Sequence, residues 1–278
     1  MDRYAVIGHP IEHSKSPIIH TAFARQTRQD LSYQALLAPL DGFPDTVRKF
    51  RAGGGRGVNV TVPFKLEACA LATRLTTRAQ AAGAVNTLTF NGDIIVGDNT
   101  DGAGLVRDLI LNLSCPLAGR RVLLLGAGGA ARGVVLPLLQ VKPTVLTIAN
   151  RTVSRAHELR AAFASHAGRS AFTAGGFEDL EGWGFDVVIN ATSASLENEV
   201  PPLPECIFAP GAFAYDMMYG AGDTPFLAVA RALGVTRLAD GLGMLVEQAA
   251  ESFALWRGVR PNSASVLSRL RRKLAVPA

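Results

Sequence analysis

The run Val122-Leu123-Leu124-Leu125 breaks directly into Gly126-Ala127-Gly128-Gly129-Ala130-Ala131-Arg132-Gly133, and no other stretch constrains the fold as tightly. Four apolar residues read as a buried strand and the glycines as a tight turn. The small residues that follow read as a helix start able to lie close to a sheet. A helix N-terminus reached through such a turn holds phosphate on its backbone N–H groups, so the segment reads as a site for a dinucleotide pyrophosphate. The Gly-x-Gly-x-x-Gly pattern closes on Ala131, within the tolerated Gly/Ala variant. A strand-to-helix turn without a ligand has the same local pattern, so the flanking sequence must separate the two.

The next apolar run, Thr144 to Ala149, ends in Asn150-Arg151-Thr152, and Arg155 follows shortly after. NAD-binding proteins place an acidic residue here for the ribose 2′-hydroxyl, whereas an arginine suits the 2′-phosphate of NADP. A guanidinium holds phosphate through paired, charge-assisted hydrogen bonds, each worth roughly 1.5–3 kcal/mol. The alternative is a pair of surface arginines on a helix beginning near Ser154.

A chain of 278 residues suggests one or two domains, and 48% hydrophobic content fits a globular protein with a sizeable core. The formal charge of +5 invites a nucleic-acid reading. Four of its positive charges, however, sit in Arg269-Leu270-Arg271-Arg272-Lys273, which reads as the solvated end of a helix. With no nucleic-acid motif in support, that class is set aside. Cys69, Cys115 and Cys206 are scattered and odd in number, which fits neither a disulfide framework nor a metal cluster, so no metal is expected. The start, Met1-Asp2-Arg3-Tyr4, lacks the apolar region of a signal peptide, and no apolar run is long enough to span a bilayer. A cytoplasmic protein without membrane partners is expected, as a monomer or a homodimer.

Short apolar runs alternate with helical patterns along the chain, which argues for an α/β architecture. Strands are expected at Tyr4–Gly8, Leu31–Leu37 and Gly57–Val62, with Pro63 stopping the third. Ser16-Pro17 reads as an N-cap followed by proline at the first helical position. Helices are expected at Phe43–Phe50, Phe64–Ala72 and Leu105–Leu113, the last opened by Asp101-Gly102. Asn91-Gly92 marks a hairpin between Ala84–Phe90 and Asp93–Val96. Further strands are expected at Phe185–Asn190 and Phe213–Asp216, with a helix at Pro225–Leu233. From Asp240 a long helical pattern falls outside the βαβ series, and its return to the first domain would bring Gln248 there. The expected division is 1–103 for substrate, 104–239 as a Rossmann-like nucleotide domain, and 240–278 as C-terminal helices packing back on the first domain.

Polar clusters punctuate the first domain at strand ends: Ser14-Lys15-Ser16, Asn59 to Lys65, Val85-Asn86-Thr87, and Asp98-Asn99-Thr100-Asp101-Gly102. Singly, each is explained by a cap, a turn or a solvated charge. Together they fall where an open α/β sheet presents ligands, beyond the carboxyl ends of its strands.

These stretches, with Gly8 to Pro17, Gly83 to Thr87, Gly97 to Gly102, Gly126 to Gly133 and Asn150-Arg151-Thr152, resemble the shikimate dehydrogenase family. Asn190-Ala191-Thr192-Ser193, Tyr215-Asp216-Met217 and Asp240 to Met244 complete the likeness, in the family's order and over nearly the whole chain. One departure is a serine shortly after Thr192, within Ser193-Ala194-Ser195, where the family often carries glycine. The resemblance implies an α/β substrate domain with a mostly parallel sheet beside the Rossmann-like one. It also implies NADPH-dependent, reversible reduction of 3-dehydroshikimate to shikimate, on the way to chorismate and the aromatic amino acids.

By position in those motifs, Ser14, Ser16 and Thr61 would surround the substrate carboxylate, with Tyr215 nearby, while Lys65, Asn86, Asp101 and Gln248 would meet the ring oxygens. Burial at a strand end is the competing reading of Tyr215. The cofactor would lie on Gly126, Ala127, Gly128, Gly129, Ala130, Asn150, Arg151, Thr152, Arg155, Thr192, Met217 and Gly241. Lys65 is the expected acid/base group and Asp101 its partner. A free lysine titrates near ~10.4 and so begins carbonyl reduction as an ammonium donor. A quinate/shikimate enzyme of broader specificity is the nearest rival, although a threonine in place of Ser16 would suit quinate better. A nucleotide-binding regulator without catalysis is the rival from another class, and retention of Lys65 and Asp101 argues against it.

Overall fold

The computed structural model describes residues 1–192 and 199–275. The chain divides into two compact units, Met1–Gly104 with Val246–Ser268, and Leu105–Leu245 with the chain from Arg269 onward. The long helical pattern is therefore shared: its first turn belongs to the second unit and the rest, with Gln248, to the first.

The first unit is built on a sheet of β1 (Asp2–Gly8), β2 (Leu31–Leu37), β3 (Gly55–Val60), β4 (Arg74–Leu75), β5 (Thr87–Asn91) and β6 (Ile94–Asp98), in the order β2-β1-β3-β5-β6-β4. Only β5 opposes the common direction, because a hairpin turning at Gly92-Asp93, with Asn91 paired to Ile94, reverses the chain between β5 and β6. That reversal brings the start of β5 to the edge where β1, β3 and β6 end. Both faces of the sheet are covered. Along β1, Ala5 and Ile7 join a core with Val58, Val60 and Leu88, while Tyr4 and Val6 face the opposite cluster with Ile11 and Tyr33, as the two-residue period of a strand requires. After α1 (Ser16–Thr27) and β2, α2 (Phe43–Ala52) covers the first face with Phe43, Val47 and Phe50, one stripe at helical spacing. Phe43 stacks on Phe64, with ring centroids 4.9 Å apart.

The structure changes several expected boundaries. Ser16 is the first residue of α1 rather than its cap; Lys15 holds the cap position and no side chain caps the helix. The Ser16 N–H instead meets Ser14 Oγ at 3.3 Å. Strand β3 stops at Val60, and β5 begins only at Thr87, because Val85 N–H is drawn to Lys65 O. The two-residue β4 and the short helix α4 (Thr77–Ala82), which follow α3 (Lys65–Leu71), carry too few residues to show a period.

The second unit is a fully parallel sheet of β7 (Arg121–Leu125), β8 (Val145–Ala149), β9 (Ala171–Gly175), β10 (Phe185–Asn190), β11 (Phe208–Asp216) and β12 (Arg237–Asp240). The order β12-β11-β10-β7-β8-β9 is that of a doubly wound nucleotide-binding sheet, with the glycine loop after the central β7. Helix α5 (Asp101–Arg107) leads into this unit through a π-helical stretch, Asp108–Asn112. The sheet is flanked by α6 (Gly129–Gln140), α7 (Val153–Phe163) and α8 (Pro225–Ala232); α9 (Leu242–Arg257) and α10 (Ser263–Ala275) close the chain. Leu123, Leu125, Val188 and Ala214 meet Phe226, Leu227 and Ala230 of α8 in the core. Among the described residues no helix is long and apolar enough to cross a membrane.

In the first unit His20 lies in an aromatic cluster, parallel to Tyr33 with centroids 4.1 Å apart, and neither ring nitrogen has a partner among the described residues. Burial pushes its pKa from 6.5 down to about 3. The folded chain thus binds fewer protons here than the unfolded chain between those values, so the stability from neutral His20 is whole above pH 6.5 and is lost as pH falls toward 3. Urea unfolding between pH 6.5 and 4.5 should show the wild type losing up to about 1.4 kcal/mol per pH unit more than His20→Phe. Parallel pH profiles for the two proteins would contradict this.

Candidate active site

In the first unit the ends of β1, β3 and β6 and the start of β5 gather the polar residues at one edge of the sheet. Gly8 and Thr61 make this edge tight: a Cβ on Gly8 would lie 2.5 Å from Thr61 Cγ2 and 3.2 Å from Val62 O. The loop carrying Ser14 and Ser16 is thereby held beside the end of β3. Thr61 N–H still bonds Ile7 O at 3.0 Å, and Thr61 O accepts from Phe64 N–H, a turn that points the chain into α3 with Lys65 at its first residue.

Lys65 Nζ lies 2.5 Å from Asp101 Oδ2, the lysine side chain 20% exposed and the carboxylate 9%. The other carboxylate oxygen accepts from Asn86 Nδ2 at 2.8 Å. Asn86 is wedged between strands, its N–H bonded to Asp98 O and its C=O to Val60 N–H. Its Oδ1 accepts from Thr100 N–H at 2.9 Å and from the Thr87 hydroxyl at 2.8 Å. Gln248, on α9, places Oε1 3.3 Å from both Asn86 Nδ2 and Thr100 Oγ1. Asn99 Oδ1 accepts from Asp101 N–H at 3.1 Å and so shapes the turn into α5. Lys65, Asn86, Asp101 and Gln248 therefore form one connected group, with Ser14, Ser16 and Thr61 on the same edge.

Behind the group, Arg78 grips Asp98 with two nitrogens, at 2.6 and 2.9 Å, and reaches Glu251 on α9 at 3.0 Å. Arg260 also pairs with Glu251, and with the buried Glu247. These pairs tie β6 to the helix that carries Gln248. Burial works against the Glu251 carboxylate, and the two arginines more than offset it, leaving its pKa below the usual range. Asn59, Thr87 and Ser252 also belong to this buried polar group, and sequence reasoning passed over their roles. The signal was present for Asn59 and Thr87: polar side chains in short, otherwise buried strands need partners.

Tyr215 stands apart. It lies fully buried in the second unit, and its hydroxyl donates to Asp108 Oδ2 at 2.8 Å. Burial, reinforced by the Asp108 charge, raises the phenol well above its ordinary range and keeps it a donor. The hydroxyl is held by Asp108 in the core, as the reading of Tyr215 as a residue buried at a strand end expects.

The nucleotide elements belong to the second unit. Gly126 turns the chain at φ +105°, where a side chain would be strained and would also crowd Ala191 O at 3.1 Å. Ala127 and Ala130 are half-buried, Gly128 and Gly129 are exposed at the start of α6, and a Cβ on either glycine would meet nothing within 4 Å. Ala131 is buried beneath them. This leaves backbone N–H groups of a helix start open to an anion. After β8, Asn150 Nδ2 bonds Thr152 O at 2.9 Å, shaping the loop from which Arg151 projects into solvent, with Arg155 exposed on the first turn of α7. Among the described residues no side chain pairs with either arginine. Thr192 is held by Asn190 Oδ1 at 2.7 Å, Met217 N–H bonds Asn190 O, and Gly241 N–H bonds Met218 O. The expected departure at Ser193-Ala194-Ser195 lies outside the described residues. A glycine-bounded helix start with free cations after the next strand fits a phosphorylated dinucleotide.

The parallel sheet and its glycine loop define a dinucleotide-binding enzyme whose other unit carries a buried lysine–carboxylate pair. Residues 6–88 match the shikimate dehydrogenase substrate binding domain, 109–198 match shikimate / quinate 5-dehydrogenase, and 241–271 match the shikimate 5′-dehydrogenase C-terminal domain. The chain is 68% identical over 274 residues to the shikimate dehydrogenase (NADP(+)) of Aromatoleum aromaticum, covering 99% of this chain and 98% of that one. Among solved structures it resembles an Ael1 enzyme from Pseudomonas putida, with 52% identity, a TM-score of 0.92 and coverage of 100% and 99%. It also resembles the shikimate 5-dehydrogenase of Thermus thermophilus, solved with NADP(H) and shikimate, with 34% identity, a TM-score of 0.87 and coverage of 99% and 100%. The chain belongs to the shikimate dehydrogenase family.

The two glycines separate shape from binding. Gly126→Ala should lower unfolding stability by about 1–3 kcal/mol, read in urea. Gly128→Ala should keep the wild-type midpoint and weaken NADP binding in calorimetry. A Gly126→Ala protein of full stability, or a Gly128→Ala protein of full NADP affinity, would contradict these assignments.

Proposed function

We propose that Lys65 and Asp101 are the proton-handling pair in the NADP-dependent interconversion of 3-dehydroshikimate and shikimate. The observation that carries this reading is the 2.5 Å contact between Lys65 Nζ and Asp101 Oδ2 at the ligand-presenting edge of the first sheet, with Asn86 holding the other carboxylate oxygen. An ammonium has three donors, and Asp101 occupies one of them. A second remains for a substrate oxygen. NADPH, when bound, supplies the hydride to the carbonyl carbon. Lys65 then gives its proton to the oxygen as negative charge develops there, yielding the hydroxyl of shikimate. In the reverse direction neutral Lys65 takes the hydroxyl proton as the hydride leaves. Asp101 keeps the lysine aimed and balances its charge.

Ser14, Ser16 and Thr61 are assigned to the substrate carboxylate, and Asn86 and Gln248 to its ring hydroxyls. A site built to hydrogen-bond every hydroxyl rejects analogues that leave a buried partner unpaired, which favours shikimate over related acids. On the cofactor side, residues 126–130 are assigned to the pyrophosphate, and Asn150, Arg151, Thr152 and Arg155 to the 2′-phosphate region. Thr192, Met217 and Gly241 complete that assignment. We place the reaction in the cytoplasm.

Steady-state assays crossing shikimate and quinate with NADP and NAD test this reading. Turnover should be highest with shikimate and NADP. Lys65→Met should lower kcat by roughly 10²–10⁴-fold with a much smaller change in shikimate binding. Arg151→Ala should raise the KM for NADP by about 10- to 100-fold and leave that for NAD nearly unchanged. Near-normal turnover in Lys65→Met, or equal losses with both nucleotides in Arg151→Ala, would overturn the respective role.

A further inference from the structure

The hydrogen bonds behind the Lys65–Asp101 pair run in a single direction. Tyr33 Oη donates to Asn59 Oδ1 at 2.7 Å, which turns Asn59 Nδ2 toward Thr87 Oγ1 at 3.1 Å and Ser252 Oγ at 3.0 Å. Burial raises the Tyr33 phenol well above its ordinary range, so it is present as the donor. Thr87 Oγ1, having accepted from Asn59, donates to Asn86 Oδ1 at 2.8 Å, and Ser252 Oγ donates to Gln248 O at 3.0 Å. With Asn86 Oδ1 so occupied, its amide nitrogen is left facing Asp101 Oδ1 at 2.8 Å, and Asp101 Oδ2 is left for Lys65.

Amide oxygens and nitrogens are assigned by their surroundings, and here two backbone groups remove the ambiguity. Asn59 Nδ2 lies 3.2 Å from Asn86 C=O, which only accepts. Asn86 Oδ1 lies 2.9 Å from Thr100 N–H, which only donates. Reversing either amide would set oxygen against oxygen or N–H against N–H in a buried region, at the full cost of unsatisfied groups. Thr87 is the link both amides share. Its side chain has no exposed surface, so it cannot touch substrate.

We propose that Thr87 is a positioning residue: the Thr100 N–H sets which way the Asn86 amide faces, and the Thr87 hydroxyl braces the amide in that place, and through it the carboxylate that aims Lys65. This rests on the proton-handling role given to Lys65 and Asp101. The device uses neutral groups only, so it sets geometry without adding a competing charge beside the reacting proton.

The test compares Thr87→Val, which keeps the shape and removes the hydroxyl, with Thr87→Ser, which keeps the hydroxyl. Thr87→Val should lower kcat for shikimate oxidation by roughly 10- to 100-fold, with KM changed by less than about threefold. Thr87→Ser should stay within about threefold of wild type. In a Lys65→Met background, Thr87→Val should cause no further loss, because the group it aims is already gone. Tyr33→Phe, which removes the first donor of the chain, should lower kcat in the same direction, and it decides the matter if Thr87→Val does not fold. Calorimetry of shikimate binding and urea unfolding of each variant separate positioning from lost affinity or lost fold.

Equal losses in Thr87→Val and Thr87→Ser, unchanged kcat in Thr87→Val, or a full further loss in the Lys65→Met background would overturn the proposal. If Thr87→Val does not fold, unchanged kcat in Tyr33→Phe overturns it. Full turnover in Lys65→Met alone would instead overturn the role of the pair, whatever Thr87 does.

Discussion

A buried carboxylate divided between a cation and an amide governs the first unit. Asp101 gives one oxygen to Lys65 and the other to Asn86, and removing a partner would leave a charge in a poorly solvated place at a cost of a few kcal/mol. The surrounding fold supplies what that arrangement demands. The antiparallel β5 brings Asn86 to the edge where β3 and β6 end, and the turn after Asp98 presents Asp101 at the start of α5. Helix α9 delivers Gln248 and Ser252 to the same group, held there by Arg78 and Glu251.

The second unit solves a different problem with backbone rather than side chains. Its central strands are buried on both faces, so β7 is an unbroken apolar run and must end abruptly to leave a helix start open. Gly126 makes that end through a left-handed turn, and the exposed Gly128 and Gly129 keep the space above the helix clear. Arg151 and Arg155 follow the next strand, the place that distinguishes a phosphorylated ribose from a free one. The lysine–carboxylate pair and the glycine loop with its arginines are thus written in separate units of the chain.

Local features were legible from sequence wherever a short period or a special residue carried the information. Leu31–Leu37 and Phe185–Asn190 have the boundaries expected for them, and the expected hairpin forms, its turn at Gly92-Asp93 one residue later than Asn91-Gly92. Membership of the shikimate dehydrogenase family was legible from many short motifs in order. Contacts between distant residues were not. Nothing in the period of the chain brings Ser252 to Thr87, 165 residues earlier. Ser16 was misplaced as a cap because a serine before proline suits that position, while the observed helix already includes it. Nor does the motif around Tyr215 show that its hydroxyl meets the buried Asp108, which comes from another part of the sequence.

The central claim is that Lys65 and Asp101 act as one unit, and a double-mutant cycle on kcat for shikimate oxidation tests it most directly. Lys65→Met, Asp101→Asn and the double variant would be compared under the same conditions, with folding checked for each. If the pair works as a unit, the double variant should be about as slow as the slower single variant. Losses that multiply, so that the double variant shows the product of the two single effects, would mean independent roles and would contradict the account.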